Sequence, residues 1–591
     1  MAEQTTQKAI QTEDHPGSRH ISSIFWTWQD GVIENSDTLK ACVLDLKKAG
    51  FQGLYAMPRA TRYSMHHREM TEAVKLAAQE CQNQQMEFIW GLDPRFVSNY
   101  ALQQSGYGAE MLMVNTDFNL RIPARDKQAE KPLLNECKIE NGRYSLRYNY
   151  PQRRDVHMLT EAGLFLNPAG VDKVFAYQKV NGKVLKSSIT DITDEHKSIT
   201  NRSFYYVEVF GKPDLGQGEW WVVAFPRFET NMYAFDSPEH EKVLLSLLDN
   251  YKEQEIHFDG FWWDEPGYYF QFGQYAISER IYKDFKQKYA YDLKDNLYAL
   301  LLELDDNSQF KVRYDYFQLV MDYVFDGQQR FWEYAENLFG PVRMGVHHTW
   351  HSIPDNMYAG CADYWKGLKG VDGGYTDAGA FESYFKVNDA GKYEQVATML
   401  LAASLAKFAK NPVANYNRWG VNYTKEVPVY WNDLMAVFSN EWIQHIYGYT
   451  GILGASRNFG PGFPHHETWP LLPELIKRTN KIRSITHYKL PQADVAVVYP
   501  LTTFLCSREP QNSHMINRVH RLLGIMPALG IQADGISDAL LTEGKLQKGK
   551  FIVREQEYSA LLLPFAKIMT PEGLSVIKQL RAARFPCYFI D

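Results

Sequence analysis

The sequence lacks the features that mark several large classes of protein. No apolar run approaches the roughly 18 residues that a membrane-spanning helix needs. Lys and Arg number 63 against 70 Asp and Glu, for a net charge of −7, and no basic run is present, so we expect no nucleic-acid partner. The glycine-rich stretch GVDGGYTDAG lacks the spacing of either nucleotide-binding motif, and we expect no nucleotide cofactor.

Cysteine is scarce, and its spacing favours neither metal nor disulfide chemistry. The six cysteines form no CxxC motif and no close pairs, which argues against a structural zinc site and a disulfide framework. Residues 1–20 are polar and lack the apolar core of a secretory signal, so we interpret them as a disordered leader. Together these absences favour a cytoplasmic protein.

Aromatic residues, by contrast, are abundant, at 14% of 591 residues, with 37 Tyr, 33 Phe and 14 Trp. Most should lie in the core, but an exposed ring also suits the apolar face of a sugar. At roughly 150 residues per domain the chain should hold several units, although a single α/β barrel can occupy half of it.

Short apolar strands alternate with helical patterns, which is typical of a parallel α/β fold. Helical segments such as SDTLKACVLDLKKAG repeat apolar residues at intervals of three and four. Eight strand candidates fit a TIM (β/α)8 barrel: residues 21–28, 51–57, 86–92, 258–265, 342–348, 372–379, 412–419 and 450–456. We therefore predict the α/β class, with the barrel formed by residues 21–100 and 236–487.

Two regions depart from the barrel pattern. Residues 101–235 carry alternating aromatic runs and an Asn-Gly turn at 181–182, which predict an inserted β-rich domain. From residue 488 strands and helices alternate again, which predicts a flavodoxin-like α/β domain over 488–591. We expect this last domain to be short, or to belong to a longer chain.

The stretch FDGFWWDEPGYYF places Asp264 and Glu265 directly after an apolar strand and before a Pro-Gly turn. Carboxylates at the end of a buried strand are costly to desolvate unless they are paired, hydrogen-bonded or used in chemistry. In a TIM barrel the reactive groups lie at these strand ends. A helix N-cap followed by a turn is the plainer explanation of the same residues.

The other predicted strand ends carry side chains that suit a sugar. Aromatic rings stack on its faces, and amide, Arg and His groups bond to its hydroxyls. The substrate-binding candidates are Trp26, Trp28, Arg59, Trp262, His347, His348, Trp350, Asn415, Asn417, Trp419 and Arg457. The first three strand ends also carry Gln29, Asp30, Arg62, Asp93 and Arg95.

Hydrolysis of a glycosidic bond needs one carboxylic acid to protonate the leaving oxygen and a carboxylate on the opposite face of the ring. We predict Glu265 as the acid, because its side chain reaches further from the strand end than that of Asp264, which would orient it or bind a hydroxyl. Asp377 is the best candidate for the base or nucleophile, with Glu382 as the alternative. Asp377 also has a plain explanation as a turn residue, and Glu382 as a surface residue.

Histidine clusters at 347–351 and 465–467 raise the question of a metal. Successive strand residues point to opposite faces, so His347 and His348 cannot both bind one ion without distortion. We predict no metal and no cofactor, and keep calcium held by carboxylates as an alternative.

The motif DGFWWDEPG and the preceding segment DSPEHEKVLLSLLDNYKE resemble the family 106 α-L-rhamnosidases. The barrel followed by ADVAVVYP and SALLLPFAKIMTPE resembles the domain order of the family 42 β-galactosidases. The resemblance implies a clan A-like barrel, a general acid at the fourth strand, here Glu265, and a second domain that helps to build oligomers.

The chain also departs from family 42. That family has Asn-Glu at the fourth strand, where this chain has Asp264-Glu265, and carries its nucleophile at the seventh strand. The seventh predicted strand here, PVANYNRWG, contains no carboxylate. The second carboxylate must then come from the sixth strand, or from Glu426 or Asp433 folding back.

The sequence thus predicts a glycoside hydrolase that acts on an oligosaccharide or glycoside. A lyase or transglycosidase is the alternative within enzymes. A carbohydrate-binding protein on a non-catalytic barrel, or a scaffold that assembles through the last domain, is the alternative outside them. The second carboxylate discriminates between these, because a binding protein can lack it and a hydrolase cannot.

Overall fold

The computed structural model describes most of the chain from residue 22 onward. The described residues are 22–58, 61–114, 135–149, 166–204, 206–264, 266–268, 273–347, 360–372, 374–375, 391–409, 414–415, 419–421, 452–456, 473–474, 476–478, 481, 490, 492–507 and 511–591. Within these ranges, every helix is too short or too polar to span a membrane.

The first part of the chain alternates buried strands with amphipathic helices. Its elements are β1 (Ser22–Trp28), α1 (Asp30–Ile33), α2 (Ser36–Lys48), β2 (Gly53–Pro58), α3 (Arg68–Asn83), β3 (Glu87–Trp90) and α4 (Pro94–Ser105). Every residue of β2 and β3 is buried, as expected for a sheet that is covered on both faces. Helix α3 buries Met70, Val74 and Ala77, which recur at intervals of three and four and so line one face.

A region rich in short strands follows. Its elements are β4 (Glu110–Met113), β5 (Glu136–Lys138), β6 (Tyr144–Asn149), β7 (Leu166–Tyr177), β8 (Lys179–Val180), β9 (Lys183–Val184), β10 (Thr190–Asp191), β11 (His196–Asn201), β12 (Tyr206–Gly211) and β13 (Trp221–Thr230). Strands β8 and β9 form a hairpin around Asn181 (φ +51°) and Gly182 (φ +79°). Two left-handed residues are what a tight hairpin turn requires, so the predicted Asn-Gly turn is confirmed.

The chain then returns to the alternating pattern. The elements are α5 (Pro238–Glu253), β14 (Gly260–Asp264), β15 (Gln274–Ile277), α6 (Glu279–Tyr289), α7 (Tyr298–Leu301), α8 (Gln309–Phe339), β16 (Arg343–His347), α9 (Tyr364–Gly367), β17 (Gly374–Tyr375), α10 (Gly391–Ala406), β18 (Ala414–Asn415), β19 (Trp419–Val421) and β20 (Ile452–Ser456). Ser237 caps helix α5, since its side chain accepts the His240 N–H at 3.1 Å, and Pro238 is the first residue of the helix.

Seven of these strands form one parallel sheet, in the order β16-β14-β3-β2-β1-β20-β19. Strand β1 pairs with β2 on one side and with β20 on the other, so the first strand of the sheet lies beside one of the last. Strands β17 and β18 form a separate parallel pair. The Asp372 N–H donates to the Met344 carbonyl at 3.1 Å and so links the start of this pair to β16. The predicted α/β class is confirmed, and each of the eight predicted strand windows overlaps a described strand.

The β-rich region builds antiparallel sheets beside this parallel one. One follows the order β10-β7-β13-β4-β15, with β5 also paired to β13, and a second has the order β11-β12-β6. Strand β15 follows the carboxyl end of β14 and pairs with β4, Gln274 opposite Met113. The larger antiparallel sheet therefore takes in a strand from beyond residue 235, where the prediction ended the inserted domain.

The last part of the chain forms another parallel sheet, in the order β22-β21-β26-β27. Its elements are β21 (Val495–Tyr499), α11 (Leu501–Cys506), α12 (Gln511–Ile525), β22 (Ala533–Ser537), β23 (Lys545–Gln547), β24 (Lys550–Val553), β25 (Gln556–Tyr558), β26 (Ala560–Pro564), α13 (Pro571–Ala582) and β27 (Cys587–Ile590). Strands β23 to β25 form a small antiparallel sheet of their own.

Buried polar contacts join this last sheet to the preceding helices. The Lys407 ammonium, just after α10, lies 2.6 Å from one carboxylate oxygen of Asp534 in β22, and both side chains are 5% exposed. The Tyr558 hydroxyl donates to the same carboxylate at 3.0 Å. In α8, the buried Arg313 guanidinium donates to the Cys506 carbonyl at 2.9 Å. The two parts of the chain are therefore linked by bonds that water does not reach.

Asp538 lies buried at the same junction, directly after β22. Its Oδ2 accepts the Thr502 N–H at 2.9 Å. Burial raises the pKa of Asp538 to about 7, and the negative charge of Asp363 adds to the effect. Burial also raises the pKa of Asp363, so two carboxyl groups near each other disfavour ionisation.

Candidate functional site

Asp264 ends β14 on the face of the parallel sheet that looks away from the long helix α8. Residues two apart on a strand share a face, so Asp264 points to the same side as Trp262. On the opposite face, Phe261 and Trp263 pack on Phe331 of α8, with ring centroids 5.5 and 5.1 Å apart. The Asp264 side chain therefore belongs to the inner face of the sheet, at its carboxyl edge, and only 5% of the residue is exposed.

Asp93 meets Asp264 at this edge. Asp93 follows β3, is 1% exposed, and its Oδ2 accepts the Asp264 backbone N–H at 2.7 Å. The Asp93 carbonyl accepts the Phe96 N–H at 3.0 Å as helix α4 begins. The sequence assigns Asp93 to a strand end but gives no sign of this bond, because the two residues are 171 positions apart.

On the inner face, going from Asp264 towards the amino end of the strands, two aromatic side chains come first and an ion pair follows. The buried rings of Tyr55 and Trp262 meet edge to face, with centroids 5.5 Å apart. Further down, the Arg343 guanidinium lies 3.5 Å from the Glu87 carboxylate, and both residues are buried. Burial raises the pKa of Tyr55 to about 12, although the nearby Arg343 charge opposes this. A dry aromatic floor thus separates the carboxyl edge from an ion pair deeper in the sheet.

Trp26 and Trp28 lie on the other face of the sheet. Trp26 is opposite Ala56, which is opposite Trp90, so these residues share the helix-facing side. The Trp28 and Trp90 rings are 5.2 Å apart, and the Trp90 indole N–H donates to the Tyr251 hydroxyl of α5 at 3.3 Å. Trp26 is 3% exposed and Trp28 0%. The expectation of open stacking rings is therefore corrected for these two residues, which are packed against helices.

Trp262 lies on the inner face but is also buried, at 2% exposure. The Trp262 ring packs edge to face on Tyr55 and lies on the same face of the sheet as Asp264. An open ring face for a sugar is not available there in this structure.

A polar cluster joins the loops that follow β1 and β2. Asp30 accepts the Thr61 hydroxyl at 2.5 Å and the Arg62 backbone N–H at 3.0 Å. The Arg62 guanidinium contacts the Glu34 carboxylate, which also accepts the Tyr63 hydroxyl at 2.7 Å. Arg62 and Asp30, both at predicted strand ends, are thus bonded to neighbouring loop residues, and Thr61 and Tyr63 are members that the pattern did not indicate.

An aromatic stack lies next to this cluster. The rings of His66 and Tyr100 are nearly parallel, with centroids 3.9 Å apart, and both residues are partly exposed. Ser64 Oγ lies 2.9 Å from His66 Nδ1 and fixes the ring. Burial, with the nearby His67, lowers the pKa of His66, so the ring favours its neutral form. No sequence pattern had indicated this stack, since its two rings come from separate loop and helix segments.

For the remaining predicted site residues, the structure describes either the backbone alone or nothing. Glu265, Asp377, Glu382, Arg59, His348, Trp350, Asn417 and Arg457 lie outside the described residues. For His347, Asn415 and Trp419 only the backbone is described, with His347 opposite Asp264, Asn415 opposite Tyr375, and Trp419 opposite Gly454. The fourth and fifth predicted strand ends are therefore adjacent.

The described part of the chain holds no group of three or more His, Cys, Asp or Glu side chains arranged for a metal ion. At the carboxyl edge of β14, the Asp93 carboxylate contacts the backbone N–H of Asp264.

Comparison with known proteins gives a likeness of fold. No family model and no curated protein matches the sequence. A rhamnosidase from Novosphingobium sp. PP1Y superposes with a TM-score of 0.59 at 13% identity, over 98% of this chain and 69% of that one. A β-galactosidase from the Antarctic haloarchaeon Halorubrum lacusprofundi gives 0.54 at 9% identity, over 96% and 72%. One from Bacillus circulans sp. alkalophilus gives 0.54 at 11% identity, over 95% and 69%.

These superpositions cover almost the whole chain. The resemblance to rhamnosidases and β-galactosidases that the sequence indicates is therefore confirmed at the level of the fold. Identities of 9 to 13% carry no residue-by-residue role from those enzymes to this chain.

Proposed function

We propose that this chain is a glycoside hydrolase that cleaves a glycosidic bond in an oligosaccharide or glycoside. The observation that carries the proposal is the position of Asp264, which lies buried on the inner face at the carboxyl edge of a parallel sheet. That edge is where barrel enzymes hold their reactive groups. The fold shared with a rhamnosidase and with β-galactosidases supports the same conclusion.

The proposed architecture has three parts. Residues 21–100 and 236–487 form a closed (β/α)8 barrel, and the pairing of β1 with both β2 and β20 supports closure. Residues 101–235 form an inserted domain, whose larger antiparallel sheet is extended by β15 from the barrel segment. The strand order β22-β21-β26-β27 supports a flavodoxin-like domain over residues 488–591, because this fold places its second strand outside its first.

In the proposed mechanism, Glu265 protonates the leaving oxygen while Asp377 attacks the anomeric carbon or activates a water, with Glu382 as the alternative. The buried Trp262 and Tyr55 rings form an apolar floor, and such a surface favours the neutral form of a carboxyl group, as a general acid requires. Asp264 orients the acid or binds a sugar hydroxyl.

The test is hydrolysis of a panel of nitrophenyl glycosides and oligosaccharides by the wild type, Glu265→Gln and Asp377→Asn. Glu382→Gln is the matched control that separates the two candidates for the second carboxylate. Loss of kcat by at least about 100-fold in Glu265→Gln and Asp377→Asn, with normal folding, would support both roles. A wild type that binds one sugar but cleaves none would replace the hydrolase with a carbohydrate-binding protein.

A further inference from the structure

The side chain of Asp93 is hydrogen-bonded to the backbone at the end of β14, the strand end that carries the proposed acid. Asp93 Oδ2 accepts the Asp264 N–H at 2.7 Å, and both residues are almost completely buried. In a buried site such a bond, shielded from competing water, is stronger than the same bond at the surface. Because the bond is made to the main chain, it restrains the peptide that joins Trp263 to Asp264, and so the direction in which the chain passes through Asp264.

The need for this bond follows from how β3 ends. The pairing of β3 with β14 stops at Trp90 opposite Phe261. At Gly91 the pairing with β2 continues, since its N–H donates to the Ala56 carbonyl at 2.7 Å, just as the Glu87 N–H donates to the Gln52 carbonyl where that pairing begins. The approach is so close that a Cβ at Gly91 would lie 2.4 Å from the Met57 Cβ. Among the described residues the β3–β14 ladder ends here, and beyond it the Asp93 side chain accepts the Asp264 N–H.

Aspartate side chains also accept backbone N–H groups of strands at the opposite, amino edge of the sheet. Asp259 Oδ2 accepts the Phe88 N–H at 2.8 Å, where β14 and β3 begin, and Asp372 Oδ2 accepts the Met344 N–H at 2.6 Å beside the start of β16. In barrel enzymes the amino edge contributes to stability, whereas the carboxyl edge carries the chemistry. Of these three carboxylates, only Asp93 lies at the carboxyl edge.

We propose that Asp93 is a positioning residue for the catalytic strand end, one that fixes the Asp264 peptide and thereby the direction of the acid beside it. This inference rests on the proposed glycosidase function. It predicts an effect on the chemical step more than on substrate binding, because Asp93 acts on the backbone that carries the acid.

The experiment compares Asp93→Ala, Asp93→Asn and the control Asp259→Ala. We expect Asp93→Ala to lose about 100-fold in kcat with little change in KM, the loss typical of a small displacement of a catalytic group. Asp93→Asn should recover most of the rate, because its amide oxygen can accept the same N–H. Asp259→Ala removes an equivalent bond from the same two strands, so it should lower the melting temperature and leave kcat near that of the wild type.

Amide hydrogen exchange gives a second readout that does not depend on activity. A peptide containing Asp264 should exchange faster in Asp93→Ala than in the wild type or in Asp259→Ala, and unchanged exchange would overturn the inference. If the wild type is active and Asp93→Ala keeps its kcat, only the inference fails. If the wild type cleaves no glycoside, the proposed function fails, and the catalytic role of Asp93 fails with it.

Discussion

Asp538 should make the stability of the protein depend on pH, and replacing it with Asn should remove that dependence. Its pKa is raised by burial to about 7 from an ordinary value of 3.8. In the unfolded chain the carboxyl group loses its proton near pH 4, whereas in the folded protein it keeps it until about pH 7. Between these values the unfolded state is favoured increasingly as pH rises, so stability falls.

The size of the effect follows from the two pKa values. Their difference corresponds to about 4 kcal/mol at about 1.4 kcal/mol for each pKa unit, which is an upper value for the full change above pH 7. Asp538→Asn keeps an oxygen that can accept the Thr502 N–H, and it carries no charge to desolvate. The variant should therefore gain stability over the wild type from pH 4 to pH 7, and the gain should then level off.

The assay is urea unfolding of the wild type and Asp538→Asn at pH 4 to 8, followed by circular dichroism. Asp214→Asn, a change at an exposed residue, controls for the general effect of removing one negative charge. A constant difference between wild type and Asp538→Asn over the whole range would refute the reasoning, because burial of the neutral side chain alone does not depend on pH.

Two further predictions concern buried side chains. Lys407→Ala should destabilise the protein by roughly 3 kcal/mol, because it leaves the Asp534 carboxylate buried without its cation, and a change in urea unfolding free energy below about 1 kcal/mol would contradict this. Trp28→Ala should lower the unfolding free energy by about 3–5 kcal/mol with no change in KM for any cleaved sugar, because the ring packs on Trp90. A raised KM at unchanged stability would return Trp28 to the substrate site.

The parallel strands could be predicted because a strand buried on both faces is a nearly continuous apolar run between polar helices. The run from Phe258 to Trp263 is of this kind, and β14 begins within it, at Gly260, and ends just after it, at Asp264. Because both faces of such a strand are apolar, the sequence does not show which residues face the helices and which face the inside of the sheet. Trp26 and Trp28 look like residues of a strand end, and only the pairing of Trp26 with Ala56 and of Ala56 with Trp90 assigns them to the helix side.

Contacts between distant segments could not be predicted either. Strand β15 is a short apolar segment that pairs with β4, more than 150 residues earlier. The sequence around β15 does not indicate which strand it pairs with. The acceptor role of Asp93 depends on Asp264, 171 residues later. That Asp93 and Asp264 lie at strand ends could be predicted, because each follows an apolar strand. Their hydrogen bond could not, because it depends on which strands lie next to each other in the sheet.

The pairing of β1 with β20 has a consequence for synthesis of the chain. Ser22 lies opposite Ile452, so the amino-terminal strand cannot complete its hydrogen bonds until some 430 further residues have been made. At about 5–20 residues per second, a ribosome needs roughly 20 to 90 s to reach that point. During this interval one edge of β1 can pair with β2, but the other waits as an open edge, the kind of surface on which nascent chains aggregate or recruit chaperones.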